Sequence, residues 1–340
     1  MNRQNDEKIK TFVTKSSTPQ LAVGIWHNGE LYHSNYGYER QTGADVFEIG
    51  SVGKIFTATL LAVLVEKELV SLNDKVDKFR PDLPFAKDVT LLQLANHTSG
   101  LPNNPFNGVI LDGQKAVQNF SYSAYSNFLS GLNKPLKSGQ FNYSNIGMAL
   151  LGNLLADHIG STYEQAVKNY ILDPLGMTDT HVSPSAYDEK RLVIGHSGNG
   201  KPVPHFKWDS MEPAGLWRST TKDMMIFLKA HLGYSGEQWK NLLAKTTLPT
   251  INDPKCDYVG LAWMLASGKI VGSFAWHNGQ TIGQKSVVVC SRERDTAIVM
   301  LSNKAPKLWH NLFSRYSIEQ LSFEILKTLT ASEKHAMQKA

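Results

Sequence analysis

Phe47-Glu-Ile-Gly-Ser-Val-Gly-Lys-Ile-Phe-Thr-Ala58 is the stretch on which the reading of this 340-residue chain turns. A short apolar run, Val46 to Ile49, ends at Gly50, and a helix is expected from Ser51 to about Lys67. Its apolar positions (Ile55, Phe56, Leu60, Leu61, Val63, Leu64) go most of the way round, the mark of a helix inside the protein rather than laid upon it. Ser51 and Lys54 stand at i and i+3, so they share a helix face and can meet. A serine hydroxyl is a poor nucleophile without an adjacent base. A lysine serves as that base only when neutral, the form that burial favours. The helix N-terminus also offers unpaired N–H groups to a developing oxyanion. The spacing alone is common, and by itself it reads as an N-cap serine followed by a surface lysine. A phosphate-binding loop does not fit, because Ile55 follows Gly53-Lys54 where Ser or Thr is needed.

Outward from this segment, residues 7 to 15 read as a short helix, and Leu21–Trp26 and Glu30–Ser34 flank Asn28-Gly29. That dipeptide supplies the positive φ angles of a type I′ turn, so the two runs form a β-hairpin. From about residue 70 to 211 short helices alternate with Pro-, Gly-, Asn- and Ser-rich turns, such as Pro81-Asp-Leu-Pro84 and Asp173-Pro-Leu-Gly176. A helix is expected from Thr221 to about Leu232, with Thr220 or Thr221 as N-cap and Asp223 in the first turn. Strand-like runs return at Val259–Met264, Ser273–Trp276, Lys285–Cys290 and Thr296–Leu301, and a last helix is expected from about Leu308 to Leu329. The expected class is therefore α/β (α+β). An antiparallel sheet built from N- and C-terminal strands is flanked by helices and carries an inserted, mostly helical region. The division is 1–69 plus 212–340 for the sheet domain and 70–211 for the insertion. No solenoid repeat or low-complexity tract is present.

Charge and composition narrow the function classes. Lys and Arg number 35 against 30 Asp and Glu, a balance of +5 spread along the chain. A nucleic-acid protein shows a clustered basic stripe instead, so no nucleic-acid partner is expected. Two cysteines, Cys256 and Cys290, leave a disulfide open; Cys290 ends an apolar run and reads as a buried thiol, whereas Cys256 lies in a polar stretch. With no CxxC or HExxH pattern, no metal and no cofactor are expected. The longest uncharged apolar run, Ile55–Val65, falls short of the roughly 20 residues a transmembrane helix takes. The first residues are polar, with no apolar signal-peptide core. A cytoplasmic location is the expectation from the sequence as it stands, and a periplasmic or secreted one if a leader has been removed.

Two further constellations follow in order. Tyr143-Ser-Asn145 sits inside Gly139-Gln-Phe-Asn-Tyr-Ser-Asn-Ile-Gly147, ahead of an apolar helix from Met148 to Leu155. A phenol can relay a proton, and a carboxamide can hold a substrate amide. Tyr125-Ser-Asn127 repeats the tripeptide, so it is context that favours the later copy. His277-Asn-Gly279 closes the run Phe274-Ala-Trp276, and a glycine on an edge strand lets a substrate backbone come close. Each alone reads as a polar turn or a lone histidine.

Together, SxxK, YxN and a Lys/His-x-Gly triplet in that order resemble the penicillin-recognising serine enzymes. The chain is most similar to the branch of class C β-lactamases, D-alanyl-D-alanine peptidases, D-aminopeptidases and related esterases. The likeness runs through Phe47–Ala58, Thr90–Pro102, Asp173–Met177 and Pro213–Leu216 and covers nearly the whole chain. It implies a β-lactamase/transpeptidase-like fold with Ser51 as nucleophile and with Lys54 and Tyr143 sharing proton traffic. It implies that Asn145 contacts Lys54 and the substrate amide, and that the N–H groups of Ser51 and of Gln280, after Gly279, form the oxyanion hole. One such donor is typically worth about 3 kcal/mol.

The departure is His277, where β-lactamases of this branch usually carry lysine, a full positive charge facing the substrate carboxylate. An ordinary histidine is only partly charged near neutral pH. The resemblance therefore points first to a D-Ala-D-Ala-type peptidase or carboxypeptidase that can react with β-lactams. An esterase or a weak β-lactamase is the alternative, and a non-catalytic penicillin-binding sensor is the alternative of another class. The expected partner is a small molecule or peptide: a D-amino-acid peptide, a β-lactam or an ester.

Overall fold

The computed structural model describes residues 3–39, 44–105, 120–132, 138–183, 186, 189–207, 211–253, 257–306 and 317–337. Its frame is an eight-stranded antiparallel sheet in the order β2-β1-β12-β11-β10-β9-β8-β7. The outer strands are β1 (Gln20–His27), β2 (Glu30–Gly37), β7 (Ile251–Asp253) and β8 (Asp257–Val259). Between them lie β9 (Met264–Gly268), β10 (Gly272–Gln280), β11 (Lys285–Ser291) and β12 (Thr296–Ser302). Strands from both ends of the chain meet where β1 pairs with β12, in the register Leu21↔Ser302 to His27↔Thr296. Two short pairs stand apart: β3 (Phe47–Glu48) with β6 (Arg218–Ser219), and β4 (Gly195–His196) with β5 (Pro202–Val203).

The expected hairpin forms, with Asn28 at φ 48° and Gly29 at φ 86°, both in the left-handed region the turn requires. Alternation along the strands splits the core. Leu21, Val23, Ile25, Val287, Val289, Ile298 and Met300 pack under α1 (Arg3–Ser16) and the C-terminal helix Ile318–Met337. Ala22, Val288, Ala297, Val299 and Leu301 face the larger core with α2 (Lys54–Glu66) and the helix Thr221–Leu232. Both faces are covered, so β11 and β12 read as continuous apolar runs rather than alternating ones. The same parity puts His277 and Gly279 on the face of Ala275, toward α2, and leaves Asn278 on the other face, bonded to Glu319 of the C-terminal helix at 2.7 Å.

Three expected elements have different bounds. Ser51 lies in a 3₁₀ turn, Gly50–Gly53, and the α-helix begins at Lys54, because the turn brings the Val52 N–H back to the Ile49 carbonyl. The run 259–264 is not one strand: Ala262 takes φ 60°, and β8 and β9 lie on either side of the break. The last helix runs Ile318–Met337, and residues 308–316 of the expected one lie outside the described residues. Cys290 is buried as a free thiol, and Cys256 lies outside the described residues. Among the described residues no helix is long and apolar enough to cross a membrane.

Candidate active site

Ser51 sits just ahead of α2, in a turn closed by its neighbours in space. A methyl group placed on Gly50, at φ 50°, would lie 2.7 Å from the Gln280 nitrogen, and one on Gly279 would lie 2.9 Å from the Ser51 nitrogen. The two segments pass with no room for a side chain between them, which brings the Ser51 and Gln280 amides to neighbouring positions. Ser286, fully buried on β11, donates to the Ile49 carbonyl at 2.6 Å and ties the turn to the sheet.

Lys54 is fully buried, and its Nζ lies 2.8 Å from Ser51 Oγ. Its other partner is the Ala214 carbonyl. Among the described residues no acidic group is paired with it, and burial drives the ammonium well below its ordinary range. The neighbouring Pro213 carbonyl is itself held in place. Trp217 Nε1 donates to Tyr163 OH at 3.0 Å, Tyr163 donates to Thr57 Oγ1 at 2.7 Å, and Thr57 donates to the Pro213 carbonyl at 2.8 Å. Thr57 lies one turn beyond Lys54, so α2 carries both the base and a group that anchors the residue before its carbonyl partner.

Tyr143 precedes the helix Asn145–His158, whose N-cap Ser144 accepts the Gly147 N–H at 2.8 Å and donates to the Pro102 carbonyl at 2.7 Å. The Tyr143 ring centroid lies 5.0 Å from Lys54 Nζ. Burial raises its phenol above the ordinary value, opposed by a hydrogen bond with Ser51, so the resting phenol is protonated. The other YSN copy is elsewhere: Tyr125 is buried in the helix Tyr122–Ser130 with its hydroxyl toward the Ile146 carbonyl.

Asn145 does not bond Lys54. Its amide nitrogen donates to Asn103 Oδ1 at 3.0 Å and Asn104 Oδ1 at 2.9 Å, because the helix that starts at Asn145 turns that side chain toward the 102–104 loop.

His277 departs from its expected partial charge. Its Nδ1–H donates to the Asn278 carbonyl at 2.6 Å, so in the neutral ring Nε2 carries the lone pair. That Nε2 is buried without a partner. Burial, then the charge of Lys54, push the ring down to about 3 against the pull of the Asn278 bond, so His277 is neutral at physiological pH.

Sequence reasoning gave no role to His97, Ser286 or the Ala214 carbonyl. His97 and Ala214 lie inside quoted segments, Thr90–Pro102 and Pro213–Leu216, which was the available signal. Ser286 lies in a strand and carried none. A cavity of about 830 Å³ on the other face of β10 is lined by Lys15, Asn278, Gln280, Lys285 and Glu319, and Ser51 is not in its wall. Among the described residues no group of three or more His, Cys, Asp or Glu is placed to hold a metal ion.

Comparison with known proteins gives a match to the family model Beta-lactamase over residues 5–321. A β-lactamase of Lysobacter lactamgenus is 29% identical over 240 residues, covering 66% of this chain and 58% of that protein. Penicillin-binding protein 4* of Bacillus subtilis is 26% identical over 303 residues, covering 81% of this chain and 65% of that protein. The chain thus spans less than two thirds of these curated relatives' length. The crystal structure of a class C β-lactamase from Rhodobacter sphaeroides superposes with a TM-score of 0.80 at 21% identity, covering 96% of this chain and all of that one, and so shares the fold.

Proposed function

The chain belongs to the Beta-lactamase family, and from its site we propose that it is a serine acyl-hydrolase that works through an acyl-enzyme at Ser51. The observation that carries this reading is the contact of 2.8 Å between Ser51 Oγ and the fully buried Lys54 Nζ. A neutral amine there has one N–H for the Ala214 carbonyl and a lone pair for the Ser51 proton. Ser51 Oγ attacks the substrate carbonyl while Lys54 Nζ takes its proton. The oxyanion is met by the Ser51 and Gln280 N–H groups. The protonated Tyr143 phenol passes a proton to the leaving group as the tetrahedral intermediate collapses and takes one back from the Lys54 ammonium, which restores both groups. Deacylation repeats the sequence with water as the nucleophile. In this reading Asn145, His277 and Gly279 meet the substrate on the same side of β10 as Ser51.

For substrate we propose a D-Ala-D-Ala-type peptide, with β-lactams as reactive analogues; the names of the relatives above support the β-lactam part of this choice. Neutral esters are a second reading, favoured by His277, which offers a lone pair where a carboxylate would need a cation. The enzyme is incubated separately with a labelled penicillin, a D-Ala-D-Ala peptide and a p-nitrophenyl ester. Peptide turnover with a Ser51 adduct supports the first reading, and ester turnover alone the second. A stoichiometric burst with no steady state would make the protein a sensor, and no turnover with no Ser51 adduct would end the hydrolase reading.

A further inference from the structure

His97 is buried to 0% exposure beside the site, in a conformation that normally selects glycine. It stands at φ 61°, just past the helix Leu91–Ala95 and its C-cap Asn96, where the Thr98 N–H returns to the Gln93 carbonyl at 2.9 Å. Glycine is the usual residue at that left-handed position, because a Cβ is disfavoured there. What the histidine supplies there can be read from its contacts. Its carbonyl accepts the Asn142 N–H at 2.7 Å, and its ring Nδ1 accepts the Ser144 N–H at 3.2 Å. It therefore grips the backbone on both sides of Tyr143. Its ring lies 4.4 Å from the Tyr143 ring at a tilt of 34°, and edge-on to Phe141 at 6.0 Å. With Nδ1 accepting, Nε2 carries the ring proton, and it is buried without a partner. Backbone strain of this kind persists where the surroundings over-determine it and gathers at functional sites.

We propose that His97 is a positioning residue for the reaction, setting where the Tyr143 phenol stands against Ser51 through the Ser144 N–H and the face of its own ring. The inference rests on the reading of Tyr143 as proton carrier. Glycine would fit the backbone at 97 but would leave Ser144 without its acceptor and the phenol ring without a wall. A backbone shift of about 1 Å at such a group costs on the order of 10²-fold in rate.

The test is a double-mutant cycle on ester turnover, with folding followed by thermal melting. In the wild-type background His97→Ala lowers kcat by about 10²-fold with KM unchanged, since His97 acts through Tyr143 rather than on substrate. In a Tyr143→Phe background the same change has an effect within about threefold, because no phenol is left to position. His97→Asn keeps an acceptor near Nδ1 and tolerates positive φ. It recovers about tenfold over His97→Ala, and it carries the cycle if the alanine variant does not fold. Losses that add fully in the two backgrounds, or a rise in KM with kcat held, overturn the inference while leaving the hydrolase intact. A wild-type enzyme with no turnover and no Ser51 adduct removes the hydrolase reading and this inference together.

Discussion

Replacing Gly279 with alanine tests how closely β10 must approach the nucleophile turn. The added methyl would lie 2.0 Å from the Ile49 carbonyl oxygen, 2.6 Å from Ser286 Oγ and 2.9 Å from the Ser51 nitrogen. Carbon–oxygen contacts settle near 3.3 Å, so β10 and the turn must separate by about 1 Å or more. Two of the three obstructing atoms are backbone, and the third is a buried hydroxyl already bonded to Ile49 at 2.6 Å. No flexible side chain can absorb the strain. The displacement moves the Gln280 amide away from Ser51, and a misplacement of about 1 Å is worth on the order of 10²-fold in rate. That corresponds to roughly 2.7 kcal/mol of transition-state stabilisation, about the worth of one oxyanion donor. Steady-state hydrolysis of a p-nitrophenyl ester, with mass spectrometry of the Ser51 adduct, reads the loss. Gly131→Ala is the control, since a methyl there meets nothing closer than 3.5 Å. A folded Gly279→Ala enzyme within about threefold of wild type would refute the reasoning, because the amides would then not depend on this approach.

Lys54→Arg is expected to abolish acylation of Ser51 with the fold retained, since a guanidinium keeps its proton and cannot take another; measurable adduct formation would move the base role elsewhere. His277→Lys is expected to raise affinity for carboxylate-bearing β-lactams in competition assays, because it replaces a neutral ring with a cation facing the substrate; unchanged binding would remove position 277 from carboxylate recognition. Acid sensitivity is the last expectation. Burial first, then neighbouring charge, depresses His97, His231 and His277 in the folded protein, so the unfolded chain binds protons that the folded one refuses. Stability from this source is complete above pH 6.5 and is lost as pH falls toward about 3, the folded value of His277. Melting temperatures that stay flat between pH 7 and 4 would show that these rings are not held neutral.

The sheet was legible because its signals are local. Asn28-Gly29 set the hairpin through backbone conformations open to those two residues. The unbroken apolar runs of β11 and β12 announced strands covered on both faces. Three ordered motifs picked out Ser51, Lys54, Tyr143 and His277 as candidates, because each residue type carries its chemistry wherever the chain puts it. The sequence also led, through that reasoning, to a partly charged His277 and an Asn145 bonded to Lys54, and the structure has neither. A protonation state depends on what surrounds the group, and Lys54 and His277 are joined only by folding, from distant parts of the chain. His97 and Ala214 belong to the same class. Spacing along the chain gave neither a part, since a backbone carbonyl and a ring beside the phenol acquire their contacts only when segments far apart in the sequence fold together. The identity of the reactive groups was written locally; their charge, tautomer and aim are properties of the packed interior.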